Sequence, residues 1–547
     1  MGLAMGFGVP FPRRFCLGAA VVALAAAPAL AQGGPRRLDF AKPPAVVAQM
    51  EFSSARIPAG GAGLFPVAGD PPLVEWLAGV RPRVSRAAEN ANGLDLAFEL
   101  LSDDQRALAF GLEGWTKAAP NAERRRLRLA VAGAYAARDY RLFWREGGAS
   151  SGHWSGAAVA VERRLRGAEE DALDLRAYDI PTTERGMAAL ADELAMSEAV
   201  AAYAMQARGA RVDPSRISQL IGARPALPDI GAALAGVAAA GAGAAQALRA
   251  FNPPHYGYQL LRDKLVELRS QRALGEATSL IRVTEARAEA VADDGPPAGA
   301  RSPRRKRAAA SGGTSRLEAE VIANMERWRW LPRDMGEDRV EVNIPDFELA
   351  VVRDGEVAHR TRVIVGKEQT PTPVFSNAMQ YIIVNPYWHV PPSIIRNEWG
   401  GDVSRAAAKG WKVSVRRGQV SVAQPPGEGN ALGRIKFIFP NDFAVYMHDT
   451  PSRGLFGASH RAFSHGCMRV QEPFALAEAV LGPASGWSQA RLRKLIGASE
   501  RYINLDRPLP VHVEYFTAYV DEFGQLQTRG DLYGYSARVR RALGLGG

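Results

Sequence analysis

Residues 444–451, Ala444-Val445-Tyr446-Met447-His448-Asp449-Thr450-Pro451, are followed after a short loop by Ser464-His465-Gly466-Cys467-Met468-Arg469. Ala444 to Met447 reads as a strand, with His448 at its end. Pro451, Gly454 and Gly457 mark the loop that follows. His448, His460 and His465 are three of the chain's eight histidines, and all precede Cys467 closely. Thiol chemistry needs the thiolate, and a nearby imidazole supplies it by accepting the proton. Gly466, lacking a Cβ, lets a substrate carbonyl approach the backbone. The N–H groups around Gly466 and Cys467 then suit an oxyanion hole. A third group must orient the imidazole, and Asp449 offers both a carbonyl and a carboxylate. A zinc site lacks the usual Cys-x-x-Cys or His-Glu-x-x-His spacing. A buried inert cysteine is the bland alternative. Nucleophilic Cys–His chemistry outweighs both.

Outward from this stretch the period is two. Arg339 to Ile344 alternates, and Phe347 to Val352 and Val357 to Val365 flank Asp354-Gly355, a hairpin signal. Tyr381 to Val384, Trp411 to Val415, Val420 to Ala423, Ile435 to Phe439 and Val511 to Val520 continue the strands. Helices are expected at Ser315 to Arg329, Pro473 to Leu481 and Ser488 to Ile496. Tyr446 alternates with His448, so it faces either the cleft or the core.

Upstream, 71–275 reads as helical, with Arg124 to Arg138, Met187 to Arg208 and Tyr258 to Leu274 as its clearest helices. Ile230 to Leu248 is nearly all Ala and Gly and reads as closely packed helices, not a membrane span. Between the two regions, 276–314 holds a helix end and a linker. Its Arg301, Arg304, Arg305, Lys306 and Arg307 form either an anion-binding tether or, more simply, a solvated spacer. The fold class expected is α+β and multidomain: an all-α domain followed by a β-rich one.

The N-terminus has the layout of a secretory signal: Arg13 and Arg14, the apolar run Phe15 to Leu30, and Ala29-Leu30-Ala31 before Gln32. Residues 1–31 are read as that signal and 32–70 as a flexible segment. The chain of 547 residues has two cysteines, which excludes a disulfide-stapled scaffold and a Cys-rich zinc module. Removing the signal takes Cys16 with it and leaves Cys467 alone. The formal charge of +11 favours anionic partners without choosing one.

At His448, Ser464-His465-Gly466-Cys467 and Arg469 the chain resembles the L,D-transpeptidases with a YkuD-type catalytic domain. Glu326-Arg327-Trp328-Arg329-Trp330-Leu331-Pro332, Asn385-Pro386-Tyr387-Trp388 and Gly429-Asn430-Ala431-Leu432-Gly433-Arg434 are similar to its large periplasmic YcbB-like branch. Arg211-Val212-Asp213-Pro214 and His255-Tyr256-Gly257-Tyr258 resemble that branch's scaffold domain. The resemblance implies a catalytic domain over 315–520, a lid over 391–433, and a C-terminal tail over 521–547. A small peptidoglycan-binding module that many relatives carry between the two domains is expected to be missing.

The activity implied is formation of 3→3 peptidoglycan cross-links in the periplasm, with carbapenems as inhibitors. Cys467 would be the nucleophile and His448 the general base. His465, Gly466 and Arg469 would shape the oxyanion loop, and Asp449 would orient His448. Tyr446, Ser464, Trp388 and His389 would line the substrate cleft; Trp399 and Trp411 either line the lid or pack it. The partners implied are stem peptides, a tetrapeptide donor and a diaminopimelate acceptor. No nucleic acid, metal or other cofactor is implied, and no transmembrane helix after signal removal. Water or a protein lysine as acceptor, and a non-catalytic wall-binding scaffold, are the competing readings.

Overall fold

The computed structural model describes residues 101–147, 152–184, 189–292, 315–397, 399–416 and 418–546. The expected signal, the segment 32–70 and the basic run 293–313 lie outside the described residues.

The helical part comprises α1 (Asp103–Lys117), α2 (Ala122–Ala136), α3 (Gly156–Arg166), α4 (Leu190–Ala207), α5 (Ile230–Ala239), α6 (Ala244–Arg249) and α7 (Tyr256–Ala292). Local signals start these helices: Ser102 and Gln105 close a capping box on α1, and Asn121 caps α2. The helix α4 is buried on nearly every side, which its small alanines permit, and it packs beside Tyr135 and Trp144. The Ala/Gly run folds as α5 and α6, with Leu234 and Leu248 fully buried. No single described helix is long and apolar enough to cross a membrane; α5 and the segment after it are bent by 119°. Two expectations shift. α7 runs to Ala292, well past the boundary drawn at 275, and Arg145–Glu146 pairs with His153–Trp154 as a small ladder inside the helical part.

Helix α8 (Arg316–Trp328), capped by Ser315, leads into the sheet. Its strands are β1 (Arg339–Asn343), β2 (Glu348–Arg353), β3 (Glu356–Gly366), β4 (Phe375–Val384), β8 (Ile435–Ile438), β9 (Met447–His448), β10 (Ala462–Ser464), β11 (Met468–Val470) and β12 (Arg501–Glu514). The intervening β5 (Trp388–His389), β6 (Lys412–Arg416) and β7 (Gln419–Gln424) form a separate sheet, ordered β5-β7-β6. The nine strands run in the order β10-β3-β11-β9-β8-β4-β12-β1-β2, and β2 also pairs with β3, so the hydrogen-bonded order returns on itself. Asp354 and Gly355 turn the β2–β3 hairpin with φ of 51° and 76°, as a two-residue I′ turn requires.

Period two decides which side chains face the core. Ile382, Val384, Ile435, Phe437, Met447, Met468 and Val470 all join one apolar cluster. Burying a side chain such as Phe437 contributes about 1.5–3 kcal/mol. The alternate residues Lys436, Tyr446, His448, Cys467 and Arg469 fall on the other face. The β5–β7 insert spans the expected lid and has its own small core of Val390, Ile395, Ala406 and Val422.

Residues 521–547, expected to be a tail, are a folded part of the domain. They supply a strand at Leu526–Thr528 and a helix at Tyr535–Ala542, and Tyr533, Tyr535 and Val539 enter the main core. Nothing in their polarity marks them as buried; three tyrosines, 515, 533 and 535, cluster within 5.7 Å of one another, centroid to centroid.

The helical part joins the sheet directly. Ile221 makes a parallel bridge to Val374, with Gly222 N–H donating to the Val374 carbonyl at 2.8 Å and Val374 N–H donating to Leu220. His255 Nε2 lies 2.9 Å from the Pro332 carbonyl, and the His255 ring stacks on Trp328 at 5.0 Å. Arg329 donates to the Asp171 carbonyl and to Tyr258. The quoted stretches 255–258 and 326–332 are thus two halves of one junction.

Candidate active site

Parallel pairing of β9 with β11 sets Met447 opposite Met468 and His448 opposite Arg469. One step earlier, Met468 N–H donates to the Tyr446 carbonyl at 3.1 Å, which brings Tyr446 beside Cys467. On the other side, antiparallel pairing puts Lys436 of β8 opposite His448. Five functional side chains therefore share one face across three neighbouring strands. Cys467 is half-buried and is the one free thiol among the described residues.

His448 is buried, and its Nδ1 lies 2.5 Å from the Asp449 carbonyl. A carbonyl only accepts, so Nδ1 carries the proton and Nε2 keeps the lone pair. This settles which part of Asp449 orients the ring: the carbonyl. The Asp449 carboxylate is occupied elsewhere. It accepts from Arg434 N–H at 2.9 Å, Thr450 N–H at 2.7 Å and the Arg453 guanidinium at 2.7 Å. Gly433 makes that packing possible. It has φ of 62°, and a Cβ there would fall onto the carboxylate.

Burial holds the His448 imidazolium form down to about 3, helped by the charges of Arg469 and Lys436. Burial likewise pushes the Cys467 thiol up; hydrogen bonds from Tyr446 and the charges of Lys436 and Arg469 pull the other way. At neutral pH the pair rests as thiol and neutral imidazole. Tyr446 faces both: its hydroxyl favours the thiolate of Cys467, and its ring meets His448 edge-on at 5.7 Å. Lys436 Nζ sits 3.8 Å from the centre of the Tyr446 ring. Among the described residues neither Lys436 nor Arg469 has a carboxylate within ion-pair distance.

The Cys467 loop is braced from below. Gly466 has φ of 112°, open to glycine and strained for other residues. Thr372 Oγ1 donates to the Gly466 carbonyl and accepts from Gly366 N–H, both at 2.8 Å. Tyr533 O–H donates to the Gly366 carbonyl at 2.6 Å and accepts from Thr372 N–H at 3.2 Å. Ser464, expected in the cleft, is buried and serves the loop itself. It donates to the Cys467 carbonyl at 2.5 Å and accepts from Gly466 N–H at 3.1 Å.

The remaining expected residues scatter. His465 is exposed on the loop, and His460 is exposed and edge-on to Phe347 at 5.5 Å. Trp388, Trp399 and Trp411 pack on one another in the lid at 5.9 Å spacings, so packing is their observed role. His389 is exposed on the lid strand β5. Lys436 was not foreseen, although a lone lysine in the apolar strand Ile435 to Ile438 is a readable signal. Thr372 opens a stretch, Thr372-Pro373-Val374-Phe375-Ser376, that is similar to the YcbB-like branch, but its role was not readable; Tyr533 gave no signal, since only the folded chain brings it to the loop.

Comparison with known proteins agrees with this geometry. Residues 337–496 match the L,D-transpeptidase catalytic domain family (YkuD), and residues 129–265 match the Scaffold domain family. A Haemophilus influenzae protein whose name assigns it provisionally to the L,D-transpeptidases is 31% identical over 252 residues. That match covers 42% of this chain and 50% of the relative, so the chain spans about half the length of the curated relative. Among solved structures, an L,D-transpeptidase from Mycobacterium smegmatis is similar at 16% identity, covering 32% of this chain and 58% of that one, with a TM-score of 0.18. L,D-transpeptidase 3 from Mycobacterium tuberculosis, in complex with a faropenem-derived adduct, matches at 14% identity over 32% and 60% of the two chains, with a TM-score of 0.19. The Cys467 loop and the strand-end histidine lie in the first matched region and the helical part in the second: the chain carries a YkuD L,D-transpeptidase catalytic domain preceded by a Scaffold domain.

Proposed function

We propose that the protein is an exported peptidoglycan L,D-transpeptidase that forms 3→3 cross-links in the periplasm through a Cys467 thioester. The observation that carries this reading is the shared sheet face on which Tyr446, His448, Cys467 and Arg469 stand together, within residues matching the YkuD family. In the first step the Cys467 proton passes to His448 Nε2 as sulfur attacks the carbonyl carbon of the third stem residue. The amide bond to the terminal D-alanine breaks, and His448 returns the proton to the departing amine. The side-chain amine of an acceptor diaminopimelate then attacks the thioester, giving up its proton to His448, and the thiolate leaves.

Because thiol and imidazole rest neutral, charge develops only as sulfur attacks. Lys436 and Arg469 stand where that charge appears, and they also suit the free carboxylates of stem peptides. Gly466 leaves the loop backbone open to the substrate carbonyl.

The test mixes the protein with disaccharide-tetrapeptide and reads products by mass spectrometry. A cross-linked dimer lacking one D-alanine is expected. Tripeptide alone would make the enzyme a carboxypeptidase. No turnover by the wild type, or equal turnover by Cys467→Ala, refutes the mechanism. A carbapenem adduct is expected on Cys467 and absent from that variant.

A further inference from the structure

A cavity of about 320 Å³ lies at the junction between the helical part and the sheet, apart from the Cys467 face. The helical side contributes Arg208 and Arg224, and the sheet side Trp330, Arg333, Phe375 and Glu514. None of these takes part in the proposed chemistry.

Its polar groups are unusually placed. Arg208, just past the end of α4, is half-buried, and burial alone shifts its guanidinium, downward. It has no hydrogen-bond or ion-pair partner among the described residues. Arg333, whose charge it opposes, is tied to the carbonyls of Ala250, Phe251 and Asn252. Trp330 and Glu514 are 7% and 6% exposed, yet Trp330 Nε1 and Glu514 Oε1 have no hydrogen-bond partner. A buried donor without a partner is costly to the folded chain. Glu514 is a weak counter-ion for Arg208: burial and the nearby Glu341 push its carboxyl well above the usual range, which favours its neutral form.

We propose that this cavity is a second peptide subsite, which takes the carboxylate end of a stem peptide that is not being acylated. Arg208 and Arg224 line this wall together with the Trp330 indole and the Glu514 carboxyl, each of which holds an unpartnered buried atom, and the excess of positive charge selects an anion. Ile221, Pro225 and Phe375 in the same wall favour an organic carboxylate over inorganic phosphate. The volume suits the end of a peptide and not a whole stem. The proposal rests on the function above for the identity of the peptide. Its consequence is that the helical part, joined to the sheet at Ile221, holds the polymer while Cys467 works on it.

The test titrates disaccharide-tripeptide into full-length Cys467→Ala protein by isothermal calorimetry. Tripeptide has no D-alanine to release, so only binding is read. Two sites are expected. Arg208→Gln on that background should remove one, and Trp330→Phe should weaken the same site about tenfold, equivalent to about 1.4 kcal/mol. Thermal melts of both variants establish that they are folded, and Arg208→Gln decides if Trp330→Phe is not. One site in the parent, or two in the Arg208→Gln variant, overturns the subsite. Inorganic phosphate that displaces the tripeptide at equal concentration overturns the peptide assignment. Release of D-alanine by wild type, measured separately, tests the transpeptidase reading, so the two ideas fail independently.

Discussion

Replacing Tyr446 by phenylalanine isolates one hydroxyl. The ring remains available to Lys436 and His448, so packing on the site face is kept. What is lost is the hydroxyl's stabilisation of the Cys467 thiolate. A hydrogen bond to a charged group contributes about 1.5–3 kcal/mol. Tyr446 is only half-buried, so the lower end, about 1.5 kcal/mol, applies here. One pH unit corresponds to about 1.4 kcal/mol. The thiolate loses a donor and the thiol does not, so the Cys467 pKa should rise, by at most about one unit. The assay is the rate of iodoacetamide alkylation as a function of pH, read by mass spectrometry on the peptide containing Cys467 so that Cys16 does not enter. A midpoint that stays in place or falls, in a variant with the wild-type melting temperature, refutes the assignment of Tyr446 as a thiolate donor.

Lys436→Gln should raise the same midpoint, by at least as much as Tyr446→Phe, because the Lys436 charge favours the thiolate more than the Tyr446 hydroxyl does; an unchanged midpoint in 0.1 M salt and at low salt would count against it. His448 titrates near 3 in the folded chain and about 6.5 unfolded. Between these values only the unfolded chain takes the proton, so stability falls as pH drops from about 6.5 towards 3. His448→Gln should therefore lose less melting temperature than wild type between pH 6.5 and 4, by calorimetry. Gly433→Ala forces a side chain into the left-handed region and onto Asp449; strain and overpacking together predict a loss of about 2–4 kcal/mol in a denaturant titration. Tyr533→Phe removes the hydroxyl that braces Gly366 and Thr372, and is expected to cost about 1–2 kcal/mol and to slow acylation of Cys467 by a carbapenem.

Much of the site was legible because its residues are close in sequence. His448 and Cys467 are separated by one loop, and alternation alone puts Tyr446 and His448 on one face. The hairpin at Asp354-Gly355 and the helix Pro473–Leu481 were likewise written locally, in a two-residue turn and in a proline-led apolar run. Contacts between distant segments were not legible. Lys436 reaches His448 only through the β8–β9 register, and Tyr533 reaches the nucleophile loop across 167 residues to Gly366. Asp449 shows a subtler limit. The sequence offers a carbonyl and a carboxylate at one position, and only the three donors surrounding the carboxylate reveal which of them orients the imidazole. Ser464 failed for a related reason: a hydroxyl next to the nucleophile suits substrate or loop equally, and the fold turns it inward.

The brace beneath Cys467 bears on when its loop is fully supported. A chain emerges N-terminus first, so strands β1 to β11 and the thiol itself are available before Tyr533. Until residues 531–546 dock, the Gly366 carbonyl and the Thr372 amide lack that partner and Gly466 sits on an unbraced loop. Assembly of the nucleophile is thereby tied to completion of the domain. A chain cut before Tyr533 would present Cys467 on a loop without that support.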